Sequence, residues 1–216
     1  MVVFSLIFGK FARLPSEGIP YPLFTLSALL PWQLFAYALS QSSESLVSNE
    51  KLISKVYFPR LLIPLTPVFS GLLDFAISFG MFLLIMLFYG SYPGARILLL
   101  PVFLLVALVT SLGAGLWLTA LNVKYRDVRY TIPFLIQIWL YLTPVAYSAV
   151  LIPESWRFLY GLNPMVGVVE AFRWVLLGKQ PPSLAMVFSS AIMAVGLLYS
   201  GLVYFQKMED EFADII

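Results

Sequence analysis

The sequence predicts an all-α integral membrane protein, on the evidence of its composition, its hydropathy and the spacing of its charges. Hydrophobic residues make up 61% of the 216 residues and charged residues only 11%, whereas ordinary soluble proteins contain about 25% charged residues. The mean hydropathy is +0.91. The apolar segments are apolar on every side, as in residues 98–107 (LLLPVFLLVA), while strands of a membrane barrel alternate apolar and polar residues. These segments therefore predict spanning helices.

Long stretches without charge give five predicted spans. No charged residue lies between Glu17 and Glu44, and Asp74 alone interrupts the stretch from Arg60 to Arg96. Each stretch reaches the length of about 20 residues that a helix needs to cross a bilayer. The predicted complete spans are residues 22–41, 64–90, 97–121, 131–150 and 184–205.

The N-terminus predicts the remnant of a first span. Residues 1–8 (MVVFSLIF) are apolar but too short to span, and basic residues follow them. A secretory signal instead begins with basic residues and has a longer apolar core. We expect the beginning of this helix to be missing from a shortened sequence, with a short interfacial helix as the alternative. Since no repeat or low-complexity linker is visible, residues 1–216 are predicted to form a single domain.

The segments between the spans are polar or broken by proline. Residues 42–60 are predicted to be a connection with a short amphipathic helix, because their apolar positions partly follow a helical spacing. Residues 151–182 form the longest connection, in which residues 166–177 predict a helix too short to span and therefore interfacial or re-entrant. The charged tail, residues 206–216, is expected to be solvated. The remaining connections are residues 9–21 and 122–130.

Basic residues indicate which side of the membrane each connection faces. Residues 42–60 and residues 122–130 each carry three basic side chains. Short connections rich in Lys and Arg face the cytoplasm. We therefore expect these two connections and the C-terminus to be cytoplasmic, and residues 151–182 to face outward.

The composition excludes most kinds of catalytic centre. The sequence contains no His and no Cys, which removes imidazole catalysis, thiol nucleophiles and the usual zinc sites. It also contains no G-x-x-x-x-G-K-[ST], no G-x-G-x-x-G and no dense acidic cluster. We predict no catalytic, cofactor-binding or metal-binding residue, and the net charge of +2 gives no reason to expect nucleic acid.

Asp74 is the one acid inside a predicted span. Ionisable residues within a membrane face protein or water and are candidates for function by default. Asp74 is therefore either an acid that couples protons or substrate, or a structural residue hydrogen-bonded to Ser70 or Ser78. The sequence does not decide between the two.

Aromatic residues gather around one predicted membrane interface. They form either an aromatic belt, which many membrane proteins have, or a surface on which sugar rings stack. Glu170 and Arg173 stand three residues apart in the predicted short helix and are expected to form a structural pair. The candidate channel or interface aromatics are Tyr141, Tyr147, Trp156, Tyr160 and Trp174.

Six segments, in this order, resemble the ABC-2 type transporter permeases that export polysaccharides and polyol phosphates, such as O-antigen, capsule and teichoic acid. The resemblance extends from about residue 4 to the end of the chain. The segments are YPLFTLSALLPWQL (21–34), KLISKVYFPRLL (51–62), LNVKYRDVRY (121–130), TPVAY (143–147), LNPMVGVVEAFRWVLL (162–177) and YFQKMEDEFAD (204–214).

The resemblance implies an ABC-2 type transmembrane domain in the bacterial inner membrane, with six spans, re-entrant outer helices and both termini in the cytoplasm. It implies a homodimer of permeases that works with a separate P-loop ATPase, which binds the ATP and Mg²⁺. By the same resemblance, the N-terminal gate helix and most of the first span of the family are expected to be missing here. The segment that docks on the ATPase matches residues 42–60, where we expect Glu44, Leu46, Val47, Asn49, Lys51, Leu52 and Lys55 to act. A second cytoplasmic contact is expected at Lys124, Arg126, Asp127 and Arg129. The alternative is that the three basic residues of this loop hold anionic membrane lipids.

The expected function is therefore that of a permease subunit, not an enzyme, that moves a lipid-linked polysaccharide or polyol phosphate. Three alternatives remain open: an ABC-2 exporter of a lipid or drug, a secondary transporter that needs no ATPase, and a membrane enzyme of lipid-linked sugars. A secondary transporter is expected to have several intramembrane charges or inverted repeats. A membrane enzyme is expected to have paired acids or His residues near an interface. The sequence offers one such acid and no visible repeat.

Overall fold

The computed structural model describes residues 18–53, 59–178 and 181–215, and every regular element in these ranges is helical. This confirms the all-α prediction, while the predicted remnant of a first span, residues 1–8, lies outside the described residues. Three short 3₁₀ helices cover Ala95–Leu99, Ala149–Leu151 and Glu154–Trp156. The α-helices are α1 (Tyr21–Ser48), α2 (Glu50–Ile53), α3 (Leu62–Phe88), α4 (Leu100–Lys124), α5 (Val128–Leu142), α6 (Arg157–Tyr160), α7 (Pro164–Leu177) and α8 (Leu184–Ile215).

Four helices in the described ranges are long and apolar enough to cross a membrane. They are α1, α3, α8 up to Glu209, and α4 together with the 3₁₀ turn before it. α5 is apolar but shorter, with 15 residues, which corresponds to about 22 Å of helix.

α1 is the central helix and packs against α3, α4 and α7. Its residues Leu23, Phe35 and Leu39 are fully buried in the main core. α4 and α8 share the most extensive helix contact, where a Cβ on Gly113 would lie 2.5 Å from the backbone nitrogen of Leu198. Small residues of this kind allow two backbones to approach closely in a membrane.

The bundle has two ends, which we name after one residue each. The Lys124 end contains the C-terminal parts of α1, α4 and α8 and the beginning of α3, which pack together through a second apolar core. The Asn163 end contains the beginning of α1, the end of α5, α6 and the beginning of α8.

The predicted connection at residues 42–60 is wrong over its first seven residues, because α1 continues to Ser48. Ser42 and Ser43 are buried there and satisfy their hydroxyl groups on the protein: Ser42 Oγ donates to the carbonyl of Pro64 at 2.7 Å. Thr119 Oγ1 of α4 in turn donates to the carbonyl of Ser42 at 2.7 Å, and Asn122 Nδ2 to that of Ser43 at 2.9 Å. These serines therefore join helices. Later in this segment the structure describes the short helix α2, and the rest of the expected amphipathic helix lies outside the described residues.

The predicted span at residues 131–150 is wrong beyond Leu142, where α5 ends in turns and bends. Thr143 has extended backbone angles, φ −103° and ψ 139°, as expected for a residue that precedes a proline such as Pro144. Pro144 therefore favours the end of the helix at this point, because it disfavours the helical conformation at Thr143.

The predicted solvated tail is also wrong, because α8 continues through it to Ile215. Phe205, Met208 and Phe212 are buried there against the ends of α1 and α4. Arg60 also donates to the backbone carbonyl of Glu209. The prediction gave weight to the four acids of the tail and overlooked the apolar residues between them. These residues are buried by packing against other helices.

Candidate functional site

The residues expected to contact the ATPase lie at the Lys124 end. Glu44, Asn49 and Lys51 are exposed, whereas Leu46 is completely buried and Val47 is half-buried. Leu46 therefore anchors the end of α1 in the second core rather than facing a partner. Lys55 and the side chain of Leu52 lie outside the described residues.

The second expected contact lies at the same end of the bundle. A turn over Tyr125–Asp127 joins α4 to α5, and Val128 N–H closes it by donating to the Tyr125 carbonyl at 3.0 Å. The hydrogen bond from Asn122 to the end of α1 holds this turn beside the first expected contact. The side chains of Lys124, Arg126, Asp127 and Arg129 are all exposed.

Arg173 organises the Asn163 end. Its guanidinium donates to the carbonyls of Val145 at 2.7 Å and Tyr147 at 2.9 Å, and to Glu170 Oε1 at 2.8 Å. It also lies 3.7 Å from the ring of Phe24 and is only 3% exposed. The expected Glu170–Arg173 pair is confirmed, and both side chains are largely buried. Arg173 also holds the non-helical backbone that follows α5 through the two carbonyls.

Asn163 joins α5 to α7 at the same end. Its Oδ1 accepts from Trp139 Nε1 at 2.9 Å and from Met165 N–H at 3.1 Å, which caps α7. Its Nδ2 donates to Thr143 Oγ1 at 3.0 Å. Sequence reasoning missed Asn163, although Asn followed by Pro at a helix start is a capping signal that could have identified it.

The predicted aromatics separate into two groups. Tyr147 and Tyr160 share a hydrogen bond of 2.8 Å between their hydroxyl groups, and Tyr147 also donates to the Tyr141 carbonyl. Burial and this hydrogen bond raise the pKa of Tyr160, which keeps its phenol neutral. Trp156 is exposed at the same end. Trp174 belongs elsewhere, between Phe103 and Arg96 at the start of α4.

Asp74 lies exposed on α3, in a groove between α3 and α1. A cavity of about 180 Å³ in this groove is lined by Asp74, Ser78, Gln33 and Tyr37, among others. Within the part of the chain that the structure describes, neither Ser70 nor Ser78 hydrogen-bonds to Asp74. The structural interpretation of Asp74 therefore loses the partners that were expected for it.

A larger, apolar cavity of about 650 Å³ lies between α1, α4, α5 and α8. Its polar lining atoms already have partners: Trp117 Nε1 donates to Ser200, and Asn163 and Tyr160 are bonded as described above. The cavity is therefore lined mainly by apolar side chains, and the N–H and O–H donors of these three polar groups are already used. Across the described ranges, no group of His, Cys, Asp or Glu is placed to hold a metal ion.

Comparison with known proteins gives consistent results along the chain. Residues 1–177 match the family described as ABC-2 type transporter. The chain is 30% identical, over 100% of its own length and 83% of the relative's, to an O-antigen export system permease protein RfbA of Myxococcus xanthus. It is 27% identical to a protein of the same name from Klebsiella pneumoniae, over 91% of this chain and 76% of the relative.

A more distant relative is named for a different cargo. The polysialic acid transport protein KpsM of Escherichia coli is 23% identical over 94% of this chain and 80% of its own length. The family match covers most of the chain, and the apolar helices of the structure agree with a protein that crosses the membrane several times. The chain belongs to the ABC-2 type transporter family, as a multi-pass membrane component.

Proposed function

We propose that this chain is the permease subunit of an ATP-driven exporter that moves a lipid-linked polysaccharide across the bacterial inner membrane. The observation that carries the proposal is the match to an O-antigen export permease over the whole length of this chain. The absence of a P-loop motif from the sequence is consistent with an ATPase on a separate subunit. A permease of this family works with such an ATP-binding subunit.

The Lys124 end is the proposed contact with the ATPase. It presents both expected segments side by side, and its exposed residues carry charge of both signs, including Glu44, Lys51 and Arg126. A rigid attachment supports the transmission of force, because α1 is fixed to α4 by the Thr119 and Asn122 hydrogen bonds. Motion of the ATPase would thus reach the centre of the bundle through α1.

The described part of the chain is proposed to cross the membrane five times. α5 is the short member, and the turns after Leu142 complete its crossing. Irregular backbone at membrane depth needs partners within the protein. Arg173 supplies them to the carbonyls of Val145 and Tyr147, and Tyr21 donates to that of Ala146 at 2.8 Å.

The permease is proposed to act as a homodimer, with α5 at or near the contact between the copies. Ile132 is the single buried residue of α5. Phe134 is 61% exposed and Tyr141 is 63% exposed. A second copy of the chain beside α5 would cover this exposed face. Alternatively, membrane lipids cover this face.

Reconstitution with the ATPase tests the function. The chain should co-purify with the P-loop ATPase from the same source and, in lipid vesicles, transport a lipid-linked polysaccharide only when ATP is present. Transport without the ATPase would indicate a secondary transporter. Hydrolysis stimulated by a lipid or drug but not by the glycan would indicate another substrate, and failure of the ATPase to bind would overturn the proposal.

Charge reversal tests the docking segment. Lys51→Glu and Lys55→Glu together should weaken co-purification of the ATPase, because these residues lie in the proposed contact. Arg96→Glu, at an exposed arginine just before the start of α4 and away from the Lys124 end, is the matched control. Undiminished association of the double variant would remove this segment from the contact.

A further inference from the structure

The exposed surface of α3 carries a row of polar side chains. Thr66, Ser70, Asp74 and Ser78 follow each other at intervals of four residues, in an otherwise apolar helix. Side chains four apart lie on one ridge of a helix. The first three are exposed and Ser78 is half-buried. The row therefore forms one continuous polar strip along a spanning helix.

α1 carries a matching row at the same spacing. Gln33, Tyr37 and Gln41 follow at intervals of four residues and are exposed. The two helices run antiparallel and in close contact, since a Cβ on Gly71 would lie 3.0 Å from Leu34 Cδ1 and 3.1 Å from Tyr37 Cδ1. The two rows consequently border the same groove, which we call the α1–α3 groove.

Two cavities occupy the α1–α3 groove. The one at Asp74 has a volume of about 180 Å³. The other, of about 340 Å³, is nearer the Lys124 end, where Gln41 and Thr66 line it together with Glu44. Among the described residues, Gln33, Gln41 and Asp74 have no hydrogen-bond partner, whereas Thr66 donates to its own helix. The groove thus holds unused donors and acceptors along a spanning part of the protein.

Lipid tails cannot satisfy such groups. Ionisable and amide side chains within a membrane face protein or a water-filled path, because hydrocarbon offers no hydrogen bonds. Neighbouring exposed residues of α3, such as Leu73 and Ile77, are apolar and suited to lipid. The apolar side of α3 therefore faces lipid, whereas the polar strip faces water or a polar ligand.

We propose that the α1–α3 groove is a binding track for an uncharged, hydroxyl-rich glycan chain. This inference rests on the proposed function and names a class of cargo. Amide, hydroxyl and carboxylate groups bind sugar hydroxyls as donors and acceptors, and the ring of Tyr37 offers a face for a sugar ring. Their repetition along two helices suits a polymer rather than a small molecule.

The charge of the groove determines which glycan fits. Asp74 and Glu44 line the two cavities, and no Lys or Arg does so among the described residues. A polyanion such as polysialic acid would meet like charge, which disfavours binding. The groove therefore selects a neutral polysaccharide.

Single-cysteine labelling tests the track, because the sequence has no Cys of its own. The chain is assembled with its ATPase in lipid vesicles, as Ser70→Cys or Ser78→Cys. The matched controls Leu73→Cys and Ile77→Cys lie on the adjacent apolar face. A charged maleimide reacts with the thiolate, which forms in water and not in lipid. We expect the two serine positions to be labelled and the two controls to remain unlabelled.

Protection by cargo then identifies the occupant. A lipid-linked polymannose at about ten times its dissociation constant should slow labelling at Ser78→Cys, which lines the cavity at Asp74, by about tenfold, from the mass-action occupancy of the site. A lipid-linked polysialic acid should give no protection. Equal protection by both would overturn the charge selection. Labelling that neither glycan slows, or no labelling at all, would overturn the track.

The two proposals fail in different ways. If the unmodified chain exports a glycan with ATP but neither serine position is protected, the groove inference fails and the function stands. If the unmodified chain binds no ATPase and exports no glycan, the proposed function fails, whatever the labelling pattern.

Discussion

At the scale of single residues, Arg173 shows how one side chain stabilises a break in a spanning helix. Its planar guanidinium reaches two backbone carbonyls and a carboxylate at once, which a single ammonium group cannot reproduce. The sequence predicted only its pairing with Glu170. Its burial depends on Phe24 and on residues 143–148, which are distant along the chain.

Substitution of Arg173 tests this role. Arg173→Lys should lower the free energy of unfolding by about 2 kcal/mol, because hydrogen bonds from a charged group are lost. Arg173→Met should cost about 3–5 kcal/mol, since it also leaves a buried acid without its partner. The measurement is unfolding of the purified chain in detergent. Arg129→Lys, at an exposed position, should change nothing, and an equally small effect at Arg173 would contradict this role.

Two substitutions of Asp74 separate its possible roles. Asp74→Asn keeps the ability to bind hydroxyl groups, so we expect ATP-driven export of a neutral glycan to remain within about twofold. Asp74→Leu removes both hydrogen-bonding atoms and should reduce export by about tenfold, the effect of one lost hydrogen bond. Initial rates of transport in vesicles provide the measurement. If Asp74→Asn instead abolishes export in a folded protein, Asp74 acts as a coupling acid.

At the scale of the elements, glycines determine how α4 and α8 cross. A Cβ on Gly201 would lie 2.5 Å from the carbonyl oxygen of Gly113, and beside this crossing the rings of Trp117 and Tyr204 stack at 4.1 Å. The absence of a side chain thus permits the most extensive helix contact in the fold. Hydropathy predicted both helices but not this contact, because it does not identify facing residues.

A pair of glycine substitutions on α8 tests the crossing. Gly201→Leu should lower the free energy of unfolding by about 3 kcal/mol or separate the helices, because the backbone of Gly113 cannot yield. Gly196→Leu is the matched control on the same helix, since a Cβ added at Gly196 would meet no atom within 4 Å. Unfolding in detergent is again the measurement. Equal stability of the two variants would show that the crossing tolerates a side chain.

At the scale of the whole molecule, the two ends of the bundle differ in chemistry. The Lys124 end presents charged residues at the ends of helices, whereas the Asn163 end is built from aromatic side chains and a network around Arg173 and Asn163. This asymmetry agrees with the positive-inside rule. The proposed orientation places the Lys124 end in the cytoplasm.

Cysteine labelling of intact cells tests the orientation. Tyr92→Cys, in the exposed turn between α3 and α4, should react with a membrane-impermeant maleimide in intact cells. Arg126→Cys, in the turn between α4 and α5, should react only after permeabilisation, because a membrane-impermeant reagent reaches only the thiols on its own side of the membrane. The opposite pattern would invert the topology and place the proposed ATPase contact outside the cell.

The sequence by itself determined which segments insert into the membrane. Long uncharged stretches predicted α1, α3, α4 and α8, because transfer into lipid depends on local composition, and charge and proline located the connections within residues 122–130 and 151–182. The tertiary structure decided where the helices end. Ser42–Ser48 remains helical because α4 and the start of α3 satisfy it, and the break after Leu142 persists because α1 and α7 provide partners.

The same division applies to the candidate site. The sequence identified Asp74 as an unusual acid within a span, and the family resemblance gave the docking segment. The sequence did not connect Asp74 with any residue of α1. Only the antiparallel packing of α1 on α3 places Asp74 in line with Gln33, Tyr37 and Gln41. The four-residue spacing of each row is visible in the sequence of its own helix. The groove between the rows depends on the register of α1 against α3. That register is determined by close contacts such as Gly71 with Leu34, which no single segment encodes.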